Sequence, residues 1–277
     1  MVASPVLESK PKPMLCCPCA TPLTFNFTTF SPEFYNTLIN IEGHTNLGNP
    51  FLHLTKDTVG ETQIGSVGRA TYSQPFLLGE TTTGQLTEFT SNFTFIIYSQ
   101  HNATYTDGLA FFLAPSMTFL NSSIATGCSL GLPVNGTRQN ITVPKSQYPF
   151  VAVEFDSHSN LYLPVVDPHF NHVGINVNSI KSNAIERWNG SIEDGRTNSV
   201  WISYNSSTKN LTVDFTSYAN DIQVLRHSIW FILWKLRENG EVDKDFMVSD
   251  SMDEELQKGI SAPESLHTKG EGGFGGA

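Results

Sequence analysis

The chain alternates apolar and polar residues in short segments over most of its length, from residue 22 to about residue 215. Clear examples are residues 23–28, 93–98, 150–155, 200–204 and 211–215. Since successive side chains of a β-strand point to opposite faces, a period of two predicts strands with one buried face. Gly, Pro and Asn-Gly separate the segments, without intervening helical periods. The pattern predicts an all-β sandwich or jelly roll.

Net charge limits the partners of the chain. Its 277 residues include 16 basic and 26 acidic residues, so the net charge is −10. Binding to nucleic acid requires a basic surface, so no nucleic-acid partner is expected. Half of the net negative charge lies in residues 235–277. The apolar run before it, residues 229–234, is too short for a membrane span, which needs about 20 residues.

These changes in composition divide the chain into four segments. Residues 1–21 are leader-like, although Pro18 interrupts their apolar run. Residues 22–226 are predicted to form the β domain, and residues 227–236 are an eroded transmembrane-like stretch. Residues 237–277 are predicted to be an irregular or disordered acidic tail.

Nine Asn-x-Ser/Thr sequons occur, all of them before residue 213. They begin at Asn26, Asn92, Asn102, Asn121, Asn135, Asn140, Asn189, Asn205 and Asn210. So dense a set favours a glycoprotein of the secretory pathway, and chance matches in a chain rich in Ser, Thr and Asn are the alternative. We therefore expect an extracellular or plasma-membrane-associated protein.

Polar residues are densest between positions 154 and 172. They are Glu154, Asp156, Asn160, Asp167 and His172. Carboxylate and amide oxygens suit Ca²⁺, and an added imidazole suits a transition metal such as Mn²⁺. Solvated loop carboxylates beside an ordinary histidine are the alternative. A glycosidase acid pair is a third possibility, but no further acid follows at positions 157–159, so we expect no enzymatic activity.

Several longer motifs resemble the legume (L-type) lectin domain. They are residues 22–27, 54–57, 67–72, 93–115, 151–160 and 172–180. The resemblance implies a legume-lectin jelly-roll sandwich that binds carbohydrate without catalysis. Its partners would be glycans or glycoproteins, and a homo-oligomer is possible.

The resemblance also assigns roles to individual residues. Ligands of the transition metal would be Glu154, Asp156, Asp167 and His172, with Ser182 contributing through water. Ligands of Ca²⁺ would be Asp156, Asn160, Asp167 and the backbone carbonyl of His158. Carbohydrate would contact Asp107, Asn160, the loop at Gly127 and Cys128, and His158, which replaces the family's stacking aromatic residue.

The sequence departs from the family after Phe215, where the family's closing strands are not recognisable. We therefore expect a jelly roll that is incomplete at its C-terminus.

Two later segments resemble parts of plant L-type lectin-domain receptor-like kinases: residues 231–237 the end of the membrane span, and residues 252–259 the juxtamembrane segment. Residues 270–275 resemble the start of a kinase Gly-rich loop. This implies metal-dependent carbohydrate binding by a truncated receptor that has lost its kinase. An interaction or decoy module that pairs with full-length lectin receptor kinases, without binding sugar, is the alternative.

Overall fold

The computed structural model describes residues 2–8, 23–56, 65–79, 86–101, 105, 107–115, 118–120, 127–137, 140–142, 149–160, 167–219, 222–229 and 242–250. The backbone alone is described for residues 2–8, 128, 135–137, 140–142 and 242–250.

The described residues form strands and two short 3₁₀ helices, Pro32–Phe34 and Gly127–Ser129. The strands are β1 (Val2–Glu8), β2 (Phe25–Asn26), β3 (Ile39–Gly43), β4 (Asn46–Leu47), β5 (Leu52–His53), β6 (Gly68–Tyr72), β7 (Phe89–Ile96), β8 (Gly108–Pro115), β9 (Asn135–Thr137), β10 (Asn140–Thr142), β11 (Val151–Asp156), β12 (His172–Val177), β13 (Ser182–Arg187), β14 (Asn198–Asn205), β15 (Asn210–Thr216), β16 (Ile222–Ser228) and β17 (Val242–Asp250).

Two large antiparallel sheets pack face to face. The six-stranded sheet has the order β16-β15-β14-β7-β1-β2, and the seven-stranded sheet has the order β13-β12-β11-β8-β17-β6-β3. Two small hairpins, β4-β5 and β9-β10, lie outside them. The prediction of an all-β sandwich is confirmed.

Aromatic side chains fill the space between the two sheets. Phe95 of the six-stranded sheet meets Phe155 of the seven-stranded sheet with ring centroids 4.9 Å apart, and Phe93 stacks on Phe111 at 6.0 Å. On β7 the buried positions alternate with more exposed ones, as a period of two predicts. Each buried Phe contributes about 1.5–3 kcal/mol through removal of apolar surface from water.

The outer face of the seven-stranded sheet is also covered. A second apolar cluster lies there, formed by Ala110, Phe112, Ala152, Leu130, Leu132 and Val134. Because residues 130–134 lie over this face, every residue of β8 and β11 is buried. Polar residues on this side of β11 are therefore enclosed by protein instead of facing open solvent.

Two segments that the sequence placed outside the domain carry strands. Strand β1 lies in the leader-like segment 1–21 and pairs with β7. Strand β17 lies in the predicted irregular tail and pairs with both β8 and β6. Its many acidic residues hide the strand pattern in the sequence, since Asp is rare in strands. The family's closing strands were not recognisable in the sequence after Phe215, and the structure has two strands beyond that residue, β16 and β17.

The predicted transmembrane-like stretch lies largely outside the described residues. Positions 227 and 228 belong to β16, and residues 230–241 are not described. Among the residues that are described, no helix is long and apolar enough to cross a membrane. The predicted kinase-like glycines at 270–275 also lie outside the described residues.

Candidate functional site

The ends of three neighbouring strands bring the predicted polar residues together. Asp156 at the end of β11 lies opposite His172 at the start of β12. It also lies opposite Gly108 at the start of β8, and Asp107 directly precedes that strand. Antiparallel pairing therefore gathers two carboxylates and an imidazole at one edge of the seven-stranded sheet.

Glu154 lies two residues earlier on β11 and faces the same outer side of the sheet. Its partner across the sheet is Gly174 of β12. A Cβ atom at position 174 would overlap the Ser182 hydroxyl and the Glu154 carboxylate. The missing side chain at Gly174 therefore makes room for these two groups to meet above the sheet.

Three ligand groups lie close enough to share one metal ion. One ligand atom each of Asp156, Asp167 and His172 lies within 4.8 Å of the other two. Glu154 adjoins the group, because its Oε1 lies 3.3 Å from Nε2 of His172. Carboxylate oxygens together with one imidazole are the donor set that a transition metal accepts. The residues therefore fit the ion expected from the sequence.

The buried acids need a compensating positive charge. Burial first, and then the charge of Asp167, raise the pKa of Asp107 to about 7. Burial and the charge of Glu154 raise the pKa of Asp156 well above its usual value. Burial also raises the pKa of Asp167, although hydrogen bonding by Asn160 opposes this rise. A bound dication would favour the ionised carboxylates and so reverse these shifts.

Asp107 presents an unused acceptor. Its side chain is 2% exposed, and its Oδ2 has no hydrogen-bond partner among the described residues. Hydrogen bonding by the Asn160 side chain lowers the pKa of Asp167, but the Asn160 Nδ2 makes no hydrogen bond of good geometry among the residues described. A buried polar atom without a partner is costly, so both atoms are suited to an external polar ligand.

Hydrogen bonds tie these two residues to the segments that carry the candidate metal ligands. The Ser157 amide and hydroxyl donate to the backbone carbonyl of Asp107, at 2.7 and 2.5 Å. The backbone N–H of Asn160 donates to Oδ2 of Asp167 at 3.1 Å. Both candidate carbohydrate residues are therefore anchored to the segment that carries the acids.

His158 is fixed by the same cluster. Its backbone N–H donates to Oδ1 of Asp156 at 2.7 Å. Burial lowers the pKa of its imidazole, which favours the neutral ring. A neutral imidazole is compatible with the sugar-facing role predicted for this position.

The sequence did not identify Asn176. This side chain is fully buried, and its Nδ2 donates to Oε2 of Glu154 at 2.9 Å. The Ser182 hydroxyl, which was predicted to lie near the metal, donates to Oε1 of Glu154. Asn176 follows His172 and Gly174 at every second position of β12, so the strand period was the signal that could have revealed it.

Gly127 and Cys128 lie in the 3₁₀ helix Gly127–Ser129, apart from the acids along the chain. Gly127 has a φ of +73°, which favours glycine, and a Cβ there would meet no atom within 4 Å. The segment that follows is held by buried Arg69, which donates to the carbonyls of Gly131 at 3.0 Å and Thr118 at 2.7 Å. The roles predicted for Gly127 and Cys128 stay predictions.

The nine sequons differ in their surroundings. The asparagines at positions 26, 189 and 205 are exposed, those at 92 and 210 are partly exposed, those at 135 and 140 lie in the small hairpin β9-β10, and those at 102 and 121 lie outside the described residues. Their glycosylation stays a prediction.

Known proteins are similar to this chain in sequence. Residues 22–261 match the family described as Legume lectin domain. Agglutinin-2 of Cladrastis kentukea is 39% identical over 201 residues, which are 72% of this chain and 64% of that protein. The chain thus spans less than two thirds of that relative. Anti-H(O) lectin 1 of Cytisophyllum sessilifolium is 36% identical over 200 residues, 72% of this chain and 77% of the relative.

Solved structures have the same architecture. Basic winged bean lectin with the Tn antigen has a TM-score of 0.68 at 28% identity, over 84% of this chain and 90% of that one. Winged bean acidic lectin in complex with methyl-α-D-galactose has a TM-score of 0.66 at 27% identity, over 82% and 89%. Legume lectins bind carbohydrate and metal ions and are not enzymes, in agreement with the expectation of a non-catalytic protein. Because the family match covers residues 22–261, which is most of the chain, and because the relatives agree with it, this chain belongs to the legume lectin family.

Proposed function

We propose that this chain binds carbohydrate at the edge of the seven-stranded sheet where β11 ends and β8 and β12 begin, and that metal ions organise the site. The observation that carries the proposal is the buried Asp107 carboxylate, whose Oδ2 has no hydrogen-bond partner among the described residues. Such an acceptor suits the hydroxyl groups of a sugar ring.

Different residues of the chain would make different contacts with the sugar. Asp107 would accept hydrogen bonds from sugar hydroxyls, and the Asn160 amide would donate one. Because these polar atoms are buried, a ligand without the matching hydroxyls would leave them unpaired, at a cost of about 1–3 kcal/mol each. His158 would face the sugar ring with its imidazole, and Gly127 and Cys128 would approach the sugar from the 3₁₀ helix Gly127–Ser129.

The metal ligands proposed here follow the donor chemistry of the cluster. The transition metal, which we propose to be Mn²⁺, would be held by Glu154, Asp156, Asp167 and His172, with Ser182 acting through water. The Ca²⁺ ion would be held by Asp156, Asn160, Asp167 and the carbonyl of His158. The ions would supply the positive charge that keeps neighbouring carboxylates ionised and fixed.

Galactose-type sugars are the first ligands to examine. The winged bean acidic lectin, which has the same fold, was solved with methyl-α-D-galactose. We therefore propose this glycoside as the initial probe, and glycans or glycoproteins that display such sugars as the natural partners. The dense sequons are consistent with an extracellular protein.

A glycan array and calorimetry with methyl-α-D-galactose test the proposal. The wild type with Ca²⁺ and Mn²⁺ should bind glycans, and Asp107→Asn should lose that binding while it keeps its metal affinity. Asp214→Asn, on the outer face of the six-stranded sheet, is the matched control and should bind like the wild type. Equal glycan binding by wild type and Asp107→Asn, or by metal-loaded and EDTA-treated protein, would contradict it.

The interaction or decoy module remains the alternative function, with pairing to related lectin receptor kinases or to a second copy. It predicts association with such partners without any glycan signal. The receptor-kinase ancestry on which it depends rests on residues 231–237, 252–259 and 270–275, which lie outside the described residues.

A further inference from the structure

The outer face of the six-stranded sheet carries one conspicuous aromatic side chain. Trp201 lies in the middle of β14 and is 39% exposed. The outward positions beside it on the same strand are Ser199 and Ser203, and the neighbouring strands present mainly Thr, Asn and Asp. The indole therefore stands among shorter polar side chains, with much of its apolar surface in water.

A sequon lies directly beside this indole. Trp201 pairs in register with Asn92 of β7, and Asn92 is partly exposed. Side chains of directly opposed residues on one sheet face have Cβ atoms about 4.5–5.5 Å apart. The sequon threonine, Thr94, lies two residues further along β7 and points to the same outer face. Asn92 and its recognition residue are thus both presented outward next to Trp201.

We propose that Trp201 is the platform for an N-linked glycan on Asn92. The first sugar of an N-glycan is attached to the Asn92 side chain, so it begins within reach of the indole. A pyranose ring has an apolar C–H face, and its packing on the indole would remove apolar surface of both groups from water. The glycan would cover the exposed tryptophan and stabilise the sheet.

The chain's own glycan fits this face better than a protein partner does. Two further sequon asparagines, Asn205 and Asn210, lie opposite each other where β14 and β15 are joined. The face therefore carries three possible attachment points within neighbouring strands. A partner protein that docked on Trp201 would have to avoid the glycans, whereas a glycan on Asn92 needs no such accommodation.

The glycan site at Asn92 does not depend on the proposed carbohydrate-binding function. Trp201 and Asn92 lie on the outer face of the six-stranded sheet, whereas Asp107 and the candidate metal ligands lie on the seven-stranded sheet. Asp107→Asn should leave the glycan effect unchanged, so failure of one proposal would not imply failure of the other.

The experiment is a double-mutant cycle on the full chain, secreted from yeast behind a secretion leader. Wild type, Asn92→Gln, Trp201→Thr and the double variant are compared, with peptide mass spectrometry to measure occupancy of Asn92. We expect Asn92 to be glycosylated, and Asn92→Gln to lower Tm by about 2–4 °C, as about 1 kcal/mol does in a domain of this size. In the Trp201→Thr background the same change should have little effect.

Two controls separate the sugar from other causes. Asn205→Gln removes a sequon on the same face and should shift Tm equally in the wild-type and Trp201→Thr backgrounds. Asn92→Gln in protein from a bacterial host, which adds no glycan, should leave Tm nearly unchanged. An unmodified Asn92 in the secreted chain, or an equal effect of Asn92→Gln in both backgrounds, would overturn the proposal. A dimer that is lost in Trp201→Thr would also overturn it, because a second copy would then occupy the indole.

Discussion

Ser157 donates two hydrogen bonds to the backbone carbonyl of Asp107, from its hydroxyl at 2.5 Å and from its amide at 2.7 Å. These bonds cross from the end of β11 to the start of β8. They couple the residue proposed to contact sugar to the strand that carries the candidate metal ligands. The position of Asp107 therefore depends on a residue that need not contact either ligand.

Ser157→Ala should weaken sugar binding without removing the metals. The variant loses the hydroxyl bond and keeps the amide bond, and a neutral hydrogen bond contributes about 0.5–1.5 kcal/mol. We expect the Kd for methyl-α-D-galactose to rise about 2–10-fold, as calorimetry would measure. Ca²⁺ affinity should stay close to that of the wild type. A sugar Kd unchanged by the substitution would contradict this coupling.

Asn176→Leu should destabilise the protein through Glu154. The substitution keeps a similar size but leaves Oε2 of Glu154 buried without its amide donor, which costs about 1–3 kcal/mol. Urea unfolding should show this loss, and Mn²⁺ titration should show weaker binding. In the Glu154→Gln background, Asn176→Leu should lower the free energy of unfolding by a smaller amount. Equal costs in both backgrounds would mean that the contact with Glu154 is not the cause.

The metal-free protein should lose stability as pH rises. The pKa of Asp107 is 3.8 in the unfolded chain and about 7 in the folded state, and the pKa values of Asp156 and Asp167 are also raised on folding. Between about pH 4 and pH 7 the folded state therefore binds more protons than the unfolded state. The stability that these acids contribute is greatest below pH 4 and falls as pH rises through 7.

Thermal unfolding in EDTA and in Ca²⁺ with Mn²⁺, at steps from pH 4 to pH 8, tests that dependence. Because the dications favour ionised carboxylates, their stabilising effect on Tm should be larger at pH 8 than at pH 5. A Tm in EDTA that does not fall over this range would contradict the assignment of the buried acids. So would a metal effect that is larger at pH 5 than at pH 8.

Arg69→Met should destabilise the segment that carries Gly127 and Cys128. Arg69 is 1% exposed, and besides its two carbonyl contacts its guanidinium lies 3.5 Å from Glu42 and 5.0 Å from the ring centre of Phe112. Removing it takes away the side-chain donor of the two carbonyls and the ion-pair partner of Glu42, at a cost of about 2–4 kcal/mol. Urea unfolding should show that loss, with weaker sugar binding and nearly unchanged metal affinity.

Arg226→Met is the matched control for this substitution. Arg226 is exposed on β16, and its replacement should change the free energy of unfolding by less than about 0.5 kcal/mol. Equal losses from the two arginine substitutions would show that the contacts of Arg69 contribute no special stability.

The alternation of side chains was enough to predict the core strands of the six-stranded sheet. Phe93 and Phe95 point inward on β7 as the period requires. The same reasoning does not identify the second covered face of β8, where Ala110 and Phe112 are buried beneath distant residues. That covering depends on contacts between segments far apart in the chain, which no local pattern contains.

The candidate site was predictable where residues with metal-ligand chemistry also share one face of a strand. Glu154 and Asp156 lie two apart on one strand, and His172 opens the next, so their gathering follows from pairing. Asn176 was missed because an amide on a strand has no ligand signature of its own. Its role appears only when the folded structure brings it to Glu154.

Strand β17 also determines when the sheet can be completed. It lies between β8 and β6, although both of these strands come much earlier in the sequence. During synthesis, β8 and β6 leave the ribosome long before residues 242–250 are made, so each has an unpaired edge until then. Such long-range pairing slows folding. The last described strand therefore acts as a closing element, and a nascent chain without it presents two open edges to which chaperones or other chains can bind.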